Sequence, residues 1–148
     1  MHLFLDVISP IPEFSVFNEN KIILSRKIIQ SEEEKLSDSI IPRFLEIEKN
    51  LNLLKNLDSI IVTTGPGSYT SLRVGISFVS GLHFSKNIKI AGISSQDLLS
   101  FKLEETSNYN SAFYIISANK QEFFCGKLFN KDFSYIKLEK NSLDNNIF

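Results

Sequence analysis

Hydrophobic and polar positions in the first thirty residues follow a pattern typical of short β-strands. The apolar run 3–8 ends at a pair of prolines, which cannot donate to a strand ladder, so it predicts a buried first strand. Two β-rich runs, 14–17 and 22–29, lie on either side of the turn-forming residues 18–21. The chain is therefore predicted to open with three strands, the second and third forming an antiparallel hairpin.

An amphipathic helix is predicted next. Its apolar stripe has spacings of three and four residues and consists of Leu36, Ile40, Phe44, Ile47, Leu51 and Leu54. Pro42 leaves the start open: if Ser39 caps the helix, the proline lies in the first turn at little cost, whereas an earlier start should make Pro42 kink the helix. Ile41 and Leu45 lie beside the stripe and need another cover.

Strands and helices alternate in the middle of the chain. Strand 59–64 precedes a helix over 72–84, and strand 88–93 precedes a helix over 98–103 whose start is capped within 94–97. A second hairpin over 112–117 and 122–129 and an edge strand over 133–138 follow. A strand meander followed by strand–helix units predicts an α/β fold, a mixed sheet flanked by helices, as in ribonuclease-H-like and actin-like half-molecules.

The second helix is apolar on nearly all sides, through Leu72, Val74, Ile76, Phe78, Val79, Leu82 and Phe84. This pattern predicts burial against the sheet and against something else. Ser77, Gly81 and Ser85 recur every four positions and form a flat stripe that a further helix can approach closely. The alternative is that the first helix covers the second one within the monomer.

Composition narrows the function classes. A chain of 148 residues that is 43% hydrophobic fits one domain, predicted over 1–138 with a loose tail over 139–148. The net charge of -1 provides no field that would hold a polyanion, which disfavours direct nucleic-acid binding. A single cysteine, no signal-peptide pattern and no long apolar run predict a soluble cytoplasmic protein.

The strongest motif is TTGPGSYTSLRVG over 63–75, placed between a predicted strand and a predicted helix. Gly65 and Gly67 permit backbone angles denied to other residues, Pro66 stiffens the turn, and Ser68 or Thr70 can cap the helix. The motif lacks the Gly-Lys-Ser/Thr ending of a Walker-type phosphate loop. It therefore predicts a rigid, shaped loop and disfavours a nucleotide cradle.

Arg73 is predicted to lie in the first turn of the second helix, where the helix dipole disfavours a cation. An acidic or anionic partner is therefore expected, either within the fold or on another molecule.

Motif 63–75 closely resembles the signature Gly-Pro-Gly-Ser-(Phe/Tyr)-Thr-Gly-Leu-Arg-(Ile/Val)-Gly of the TsaB (YeaZ) family, with Ser71 in place of one glycine. SDSIIP over 37–42 resembles that family's Ser-Glu-x-Leu-Leu-Pro, and AGISS over 91–95 resembles its Gly-Val-Ser-Ser. SANKQEFF over 117–124 partly resembles its Asp-Ala-Arg-Arg-x-Glu-Val-Tyr. The resemblance covers 3 to about 129, and typical members continue into a further C-terminal subdomain, so a short or truncated member is expected.

The resemblance implies an actin-like (ASKHA, ribonuclease-H-like) N-terminal-type subdomain without catalytic residues. It implies a subunit that dimerises with a TsaD-type catalytic subunit and supports formation of threonylcarbamoyl-adenosine at position 37 of tRNA. A TsaE-type ATPase completes the expected complex, tRNA is contacted indirectly, and a homodimer is expected when the chain is alone. No cofactor is expected on this subunit, although ATP or ADP can bind at the partner interface or on partner subunits.

Two sets of residues carry these expectations. The signature loop comprises Gly65, Pro66, Gly67, Ser68, Tyr69, Thr70, Leu72, Arg73 and Gly75. The predicted partner-binding surface, placed on helices through which family members dimerise, comprises Ile41, Leu45, Val74, Ser77, Phe78, Gly81 and Ser85.

A stand-alone nucleotide-binding phosphotransferase or hydrolase of the actin-like superfold, using Asp6 and loop 65–70, is the alternative function. No donor-rich phosphate turn follows Asp6, which favours a solvated or capping role over metal binding. His2 and His83 are far apart in sequence, so no metal site is predicted.

Two further groups are expected to have no chemical role. The acidic run 32–34 is interpreted as solvated charge near the start of a helix. Cys125, in a Phe-rich strand, is interpreted as a buried packing thiol.

Overall fold

The computed structural model describes residues 1–106, 112–119, 122–129 and 132–139. They form eight strands and four helices, in the order β1 His2–Asp6, β2 Glu13–Asn18, β3 Lys21–Lys27, α1 Leu36–Leu51, α2 Leu53–Asn56, β4 Ser59–Thr63, α3 Tyr69–Lys86, β5 Lys89–Ile93, α4 Ser95–Thr106, β6 Ala112–Ser117, β7 Glu122–Phe129 and β8 Asp132–Glu139. The predicted order of strands and helices is confirmed except for the short helix α2, which was not predicted.

The main sheet has five strands in the order β3-β2-β1-β4-β5. β1 pairs antiparallel with β2 and parallel with β4, and β4 pairs parallel with β5. The predicted hairpin between β2 and β3 is present, with Glu19 at a positive φ of 51° in its turn. The prediction of a mixed sheet flanked by helices is confirmed.

One face of this sheet carries the core. Leu3 and Leu5 of β1 point to that face, because side chains alternate along a strand, and both are fully buried. The helical stripe packs against them through Ile40 and Ile47 of α1 and through Val79 of α3. Asp6 lies on the opposite face, at the carboxyl end of β1, where it lines a cleft.

Helix α1 begins at Leu36, so the earlier of the two starts that the sequence left open is the observed one, and Ser39 is not the cap. Lys35 occupies the N-cap without a side-chain bond, and its carbonyl accepts from the amide of Ser39 at 3.1 Å. Leu36 is buried, which favours the earlier start. Pro42 then lies inside the helix on its exposed side, where the carbonyl that loses its partner remains accessible to water.

Replacing Pro42 with alanine is expected to stabilise the protein. Alanine restores the missing amide donor and removes the clash of the ring with the preceding turn, a cost of about 3 kcal/mol in a helix interior. We expect the free energy of unfolding in urea to rise by about 1–3 kcal/mol, since the proline also lowers the entropy of the unfolded chain. An unchanged or lower value would show that α1 is not strained at this position.

The apolar stripe of α1 ends earlier than predicted. Asn52 adopts a left-handed conformation and its amide donates to the carbonyl of Glu48 at 2.7 Å, which terminates the helix after Leu51. Leu54 therefore belongs to the short helix α2, and its neighbour Leu53 is the fully buried residue there. Leu54 still packs against the core, but it is only partly buried.

The second sheet has three antiparallel strands in the order β6-β7-β8. The predicted second hairpin and edge strand are thus present. β8 ends at Glu139 and residues 140–148 lie outside the described residues, so the boundary between a domain over 1–138 and a tail over 139–148 stays a prediction. Among the described helices, none is both long and apolar enough to cross a membrane.

Candidate functional site

The signature loop joins β4 to α3 and has the special backbone that its glycines predict. Gly65 has a positive φ of 100°, and the peptide bond between Gly65 and Pro66 is cis. Gly67 has no positive φ and is needed for close approach, because a Cβ built there would meet Cγ2 of Ile8 at 2.5 Å. The two glycines are thus required for different reasons, one for backbone angle and the other for space.

The start of α3 is fixed by contacts within the motif and with β1. Ser68 is the N-cap and accepts from the amide of Ser71 at 3.3 Å, which confirms one of the two predicted caps. Gly75, one turn further, is buried against the residue after β1, since a Cβ there would lie 2.8 Å from Cγ1 of Val7. These contacts set the direction in which α3 leaves the sheet.

Ser95, at the start of α4, makes two hydrogen bonds to the signature loop. It was not among the predicted site residues. Its amide donates to the carbonyl of Gly65 at 2.9 Å, and its hydroxyl donates to the carbonyl of Pro66 at 2.9 Å. Only 5% of Ser95 is exposed. The neighbouring Ser94 caps α4, with its hydroxyl oxygen accepting from the amide of Asp97 at 3.0 Å. The sequence indicated that a serine near 94–97 caps α4, but nothing in it indicated that Ser95 bonds to the carbonyls of the signature loop.

Of the two roles expected for Asp6, solvated or capping, the structure shows the capping one. Its Oδ1 accepts from the amides of Ile8 at 2.9 Å and Ser9 at 3.2 Å, and the residue is only 6% exposed. The chain bends sharply after β1, and this bend folds the two amides back over the carboxylate. Those amides are consequently occupied and are not available to a phosphate.

Arg73 has no acidic partner among the described side chains, so the expected partner within the fold is not found there, and a partner on another molecule stays a prediction. Helix α3 begins at Tyr69, so Arg73 lies just after the first turn, within which the effect of the dipole falls off. Its guanidinium carbon stands 5.4 Å from the centre of the Tyr69 ring, a cation–π contact at the exposed surface. The positive charge thus stays exposed.

Arg73→Ala is expected to leave the fold nearly as stable as the wild type. The contact with Tyr69 is exposed and contributes about 0.5–1 kcal/mol, so the thermal midpoint should fall by only a few degrees. If Arg73 contacts a partner, binding will weaken at the same time, and a calorimetric titration separates the two effects. A midpoint that falls by about 10 °C or more would reveal a structural partner for Arg73.

The predicted partner-binding residues lie on α1 and α3. Ile41 and Leu45 are exposed to 55% and 56%. Beside them a groove of about 530 Å³ separates the two helices, and its lining consists of Ser37, Ile40, Ile41, Thr70, Arg73, Val74, Ser77 and Phe78. Gly81 and Ser85 continue the exposed side of α3. This surface is called the α1–α3 face below.

The floor of that face is built by aromatic packing. Phe78 is half-buried, and its ring centre lies 5.1 Å from Phe44 in an edge-to-face contact and 5.8 Å from Phe14. Helix α1 therefore covers part of α3 within the monomer, as the alternative interpretation expects. It leaves Ile41, Leu45 and the small residues of α3 uncovered.

The remaining candidates have structural explanations. Glu34 is not merely solvated: its carboxylate accepts from the amide of Gln30 at 3.0 Å and lies 3.7 Å from the guanidinium of Arg43. His83 contacts the carbonyl of Ile88 through Nδ1 at 2.7 Å. Cys125 is half-buried instead of fully buried, and burial raises the pKa of its thiol. No cluster of three metal-ligating side chains occurs in the described residues.

Comparison with known proteins gives consistent matches. A family model described as TsaD, tRNA N6-adenosine threonylcarbamoyltransferase, matches residues 26–144. The tRNA threonylcarbamoyladenosine biosynthesis protein TsaB of Bacillus subtilis (strain 168) is 40% identical over 45 residues, which are 30% of this chain and 20% of that protein.

Two solved structures share the fold. YeaZ from Pseudomonas aeruginosa aligns with a TM-score of 0.68 and 19% identity. A structure described as an uncharacterized protein with similarity to peptidase YeaZ from Pseudomonas aeruginosa aligns with a TM-score of 0.70 and 20% identity. Each alignment covers 93% of this chain and 66% of the other chain. The predicted actin-like fold is thereby confirmed, while the chain spans about two thirds of the length of these structures.

The family model covers most of the chain, and the curated and structural matches carry the names TsaB and YeaZ. The signature loop that carries this resemblance has a positive φ at Gly65 and accepts two hydrogen bonds from Ser95. The chain therefore belongs to the family described as TsaD, tRNA N6-adenosine threonylcarbamoyltransferase, and it is similar to TsaB in part of its sequence and to YeaZ in its fold.

Proposed function

We propose that this chain is a non-catalytic subunit that supports formation of threonylcarbamoyl-adenosine at position 37 of tRNA by binding a TsaD-type catalytic subunit. The Bacillus subtilis relative is a tRNA threonylcarbamoyladenosine biosynthesis protein, and the family model is described as a threonylcarbamoyltransferase. The other partners of the proposed complex are a TsaE-type ATPase, threonylcarbamoyl-AMP made elsewhere, and tRNA contacted indirectly in the cytoplasm.

The α1–α3 face is the observation that carries this proposal. Two large aliphatic side chains, Ile41 and Leu45, are more than half exposed on one helix. The small residues Ser77 and Gly81 face outward on the next helix, and a Cβ added at Gly81 would meet nothing within 4 Å. An apolar ridge beside a flat stripe suits the close approach of a helix from another protein. The same face serves a homodimer when the catalytic subunit is absent.

The chemistry of the described residues supports a non-catalytic role. The amides of Ile8 and Ser9, at the position where actin-like kinases bind phosphate, donate to Asp6. Ser95 donates two hydrogen bonds to backbone carbonyls of the signature loop. The loop ends at the N-cap Ser68, and it has no lysine that could bind a phosphate. A nucleotide in this assembly is accordingly proposed to bind at the partner interface or on the partner subunits.

Reconstitution tests the proposed function. Purified TsaD-type and TsaE-type proteins of the same genome are incubated with threonylcarbamoyl-AMP, ATP and tRNA, with and without this chain, and modified adenosine is measured by mass spectrometry. We expect modification only when the chain is present, and none from the chain alone. Equal modification in its absence would refute the proposal.

A stand-alone nucleotide-binding phosphotransferase or hydrolase is a second candidate, favoured by one observation. Asp6 and Thr63 lie together at the carboxyl ends of adjacent parallel strands, which is where α/β sheets bind ligands. Calorimetry with ATP and Mg²⁺ discriminates the two functions. Tight saturable binding to the isolated chain, with turnover, would favour the enzyme, whereas the absence of heat supports the subunit.

A further inference from the structure

A cleft of about 340 Å³ lies on the face of the main sheet opposite the core. It is formed by the ends of β1 and β4, the start of α4, and β6. Its apolar walls are Ile8, Pro10, Leu98, Leu99, Ile115 and Ile116, and its polar groups belong to Asp6, Ser9, Thr63, Ser95 and Ser117. A concave, mostly apolar cleft with a few converging polar groups is the usual form of a small-molecule site.

The carboxylate of Asp6 is the group in this cleft with an unused bonding capacity. The residue is 6% exposed, and the amides of Ile8 and Ser9 and the hydroxyl of Thr63 all approach the same oxygen, Oδ1. In the part of the chain that the structure describes, no donor reaches Oδ2. A buried carboxylate oxygen without a donor is rare in folded proteins, because desolvation of the charge has to be compensated. A bound donor at Oδ2 would supply that compensation.

The residues that line the cleft indicate the chemical class of this donor. No lysine or arginine lines the cleft within the described residues, so a phosphate would meet Asp6 without a compensating cation. One carboxylate with two or three hydroxyls provides fewer oxygen ligands than a protein Ca²⁺ site uses, and Mg²⁺ held by a single carboxylate commonly also takes phosphate oxygens as ligands. Apolar walls around a single carboxylate fit an ammonium group carried on a compact apolar body.

We propose that this cleft binds a small, phosphate-free organic amine. The ammonium donates to Oδ2 of Asp6, and the apolar body packs between Leu98 and Leu99 of α4 and Ile116 of β6. This inference goes beyond the proposed function and does not depend on it, since the cleft and the α1–α3 face are lined by different residues.

Three probes of one shape and different charge test the proposal: benzylamine, benzyl alcohol and benzoate. Each is titrated into the isotope-labelled chain while amide resonances are followed by NMR. We expect saturable shifts at Ile8, Ser9 and Leu98 with benzylamine, and an affinity about tenfold or more above that of benzyl alcohol, because a hydrogen bond to an ionised group is the stronger one. Benzoate should cause no shifts at these residues.

Two variants and a control locate the site. Asp6→Asn keeps an oxygen that accepts from the two amides, and it should abolish the preference for benzylamine over benzyl alcohol. Ser117→Trp at the exposed rim should block benzylamine and benzyl alcohol, while Phe101→Trp, exposed on α4 but outside the lining, should bind like the wild type.

Several results would overturn the proposal. These are equal affinities for benzylamine and benzyl alcohol, no shifts at the cleft with benzylamine, or an unchanged preference in a folded Asp6→Asn variant. A preference for ATP with Mg²⁺ at the same resonances would also overturn it. Reconstituted tRNA modification by Asp6→Asn tests the proposed function separately, so failure of one proposal is distinguishable from failure of the other.

Discussion

Gly67→Ala is expected to destabilise the protein by about 1–3 kcal/mol, although the change adds a single methyl group. The new Cβ would lie 2.5 Å from Cγ2, 3.1 Å from Cγ1 and 3.3 Å from Cβ of Ile8. Rotating the Ile8 side chain offers little relief, because both branches and their root are close. Either the loop or the turn after β1 has to move, and Gly67→Val should cost more still.

Gly81→Ala is the matched control for this prediction. It also adds one methyl group to a glycine, but at an exposed position of α3 where nothing lies within 4 Å. The free energy of unfolding should rise by about 0.5–1 kcal/mol, since alanine is the better helix former. Urea unfolding of both variants gives the comparison. Equal effects of the two substitutions would show that the loop does not need glycine for space.

Loss of stability at Gly67 should be accompanied by loss of partner binding, because the loop sets the direction of α3 and hence the α1–α3 face. A Gly67→Val variant that folds with wild-type stability and still binds a TsaD-type subunit would contradict this link.

Ile41→Asp and Leu45→Asp are each expected to abolish association while leaving the monomer folded. Both side chains are more than half exposed in the monomer, so the free energy of unfolding should change by no more than about 0.5 kcal/mol. In a complex the new carboxylate would be buried without a partner, which should weaken binding by about 100-fold or more. Loss is expected both for self-association and for binding to a TsaD-type subunit.

Ile22→Asp provides the control for these charges. Ile22 is 72% exposed on β3, at the far edge of the main sheet, and it does not line the groove between α1 and α3. Its substitution introduces the same charge and should leave association unchanged. Wild-type association of both Ile41→Asp and Leu45→Asp, or equal loss with Ile22→Asp, would show that the α1–α3 face is not the interface.

The elements whose formation depends on local sequence were predictable. Strand alternation, the hairpin turn and the stripe of α1 are encoded within a few residues, and the loop was recognisable because two glycines, a proline and a cap occur together. Pro42 shows the limit of this reasoning: it left two starts open for α1, and the observed earlier start is the one that includes the buried Leu36. Tertiary packing decided the boundary.

The parts of the site that depend on distant contacts were not predictable. Ser95 reaches the loop carbonyls from a segment some thirty residues away, and nothing local distinguishes it from Ser94. Asp6 was predicted to be solvated or to cap, and the bend after it is local, but its place in a cleft shared with residues of α4 and β6 depends on elements distant in sequence. Arg73 finds an aromatic ring one turn away where an acid was expected.

The mass of the complex in solution tests the central proposal most directly. The chain and the TsaD-type protein of the same genome are purified separately, mixed, and passed through size exclusion with multi-angle light scattering. The account predicts one peak with the summed mass of the two subunits, and separate peaks when Ile41→Asp replaces the wild-type chain. Two independent peaks with the wild-type chain, or an intact complex with Ile41→Asp, would contradict it.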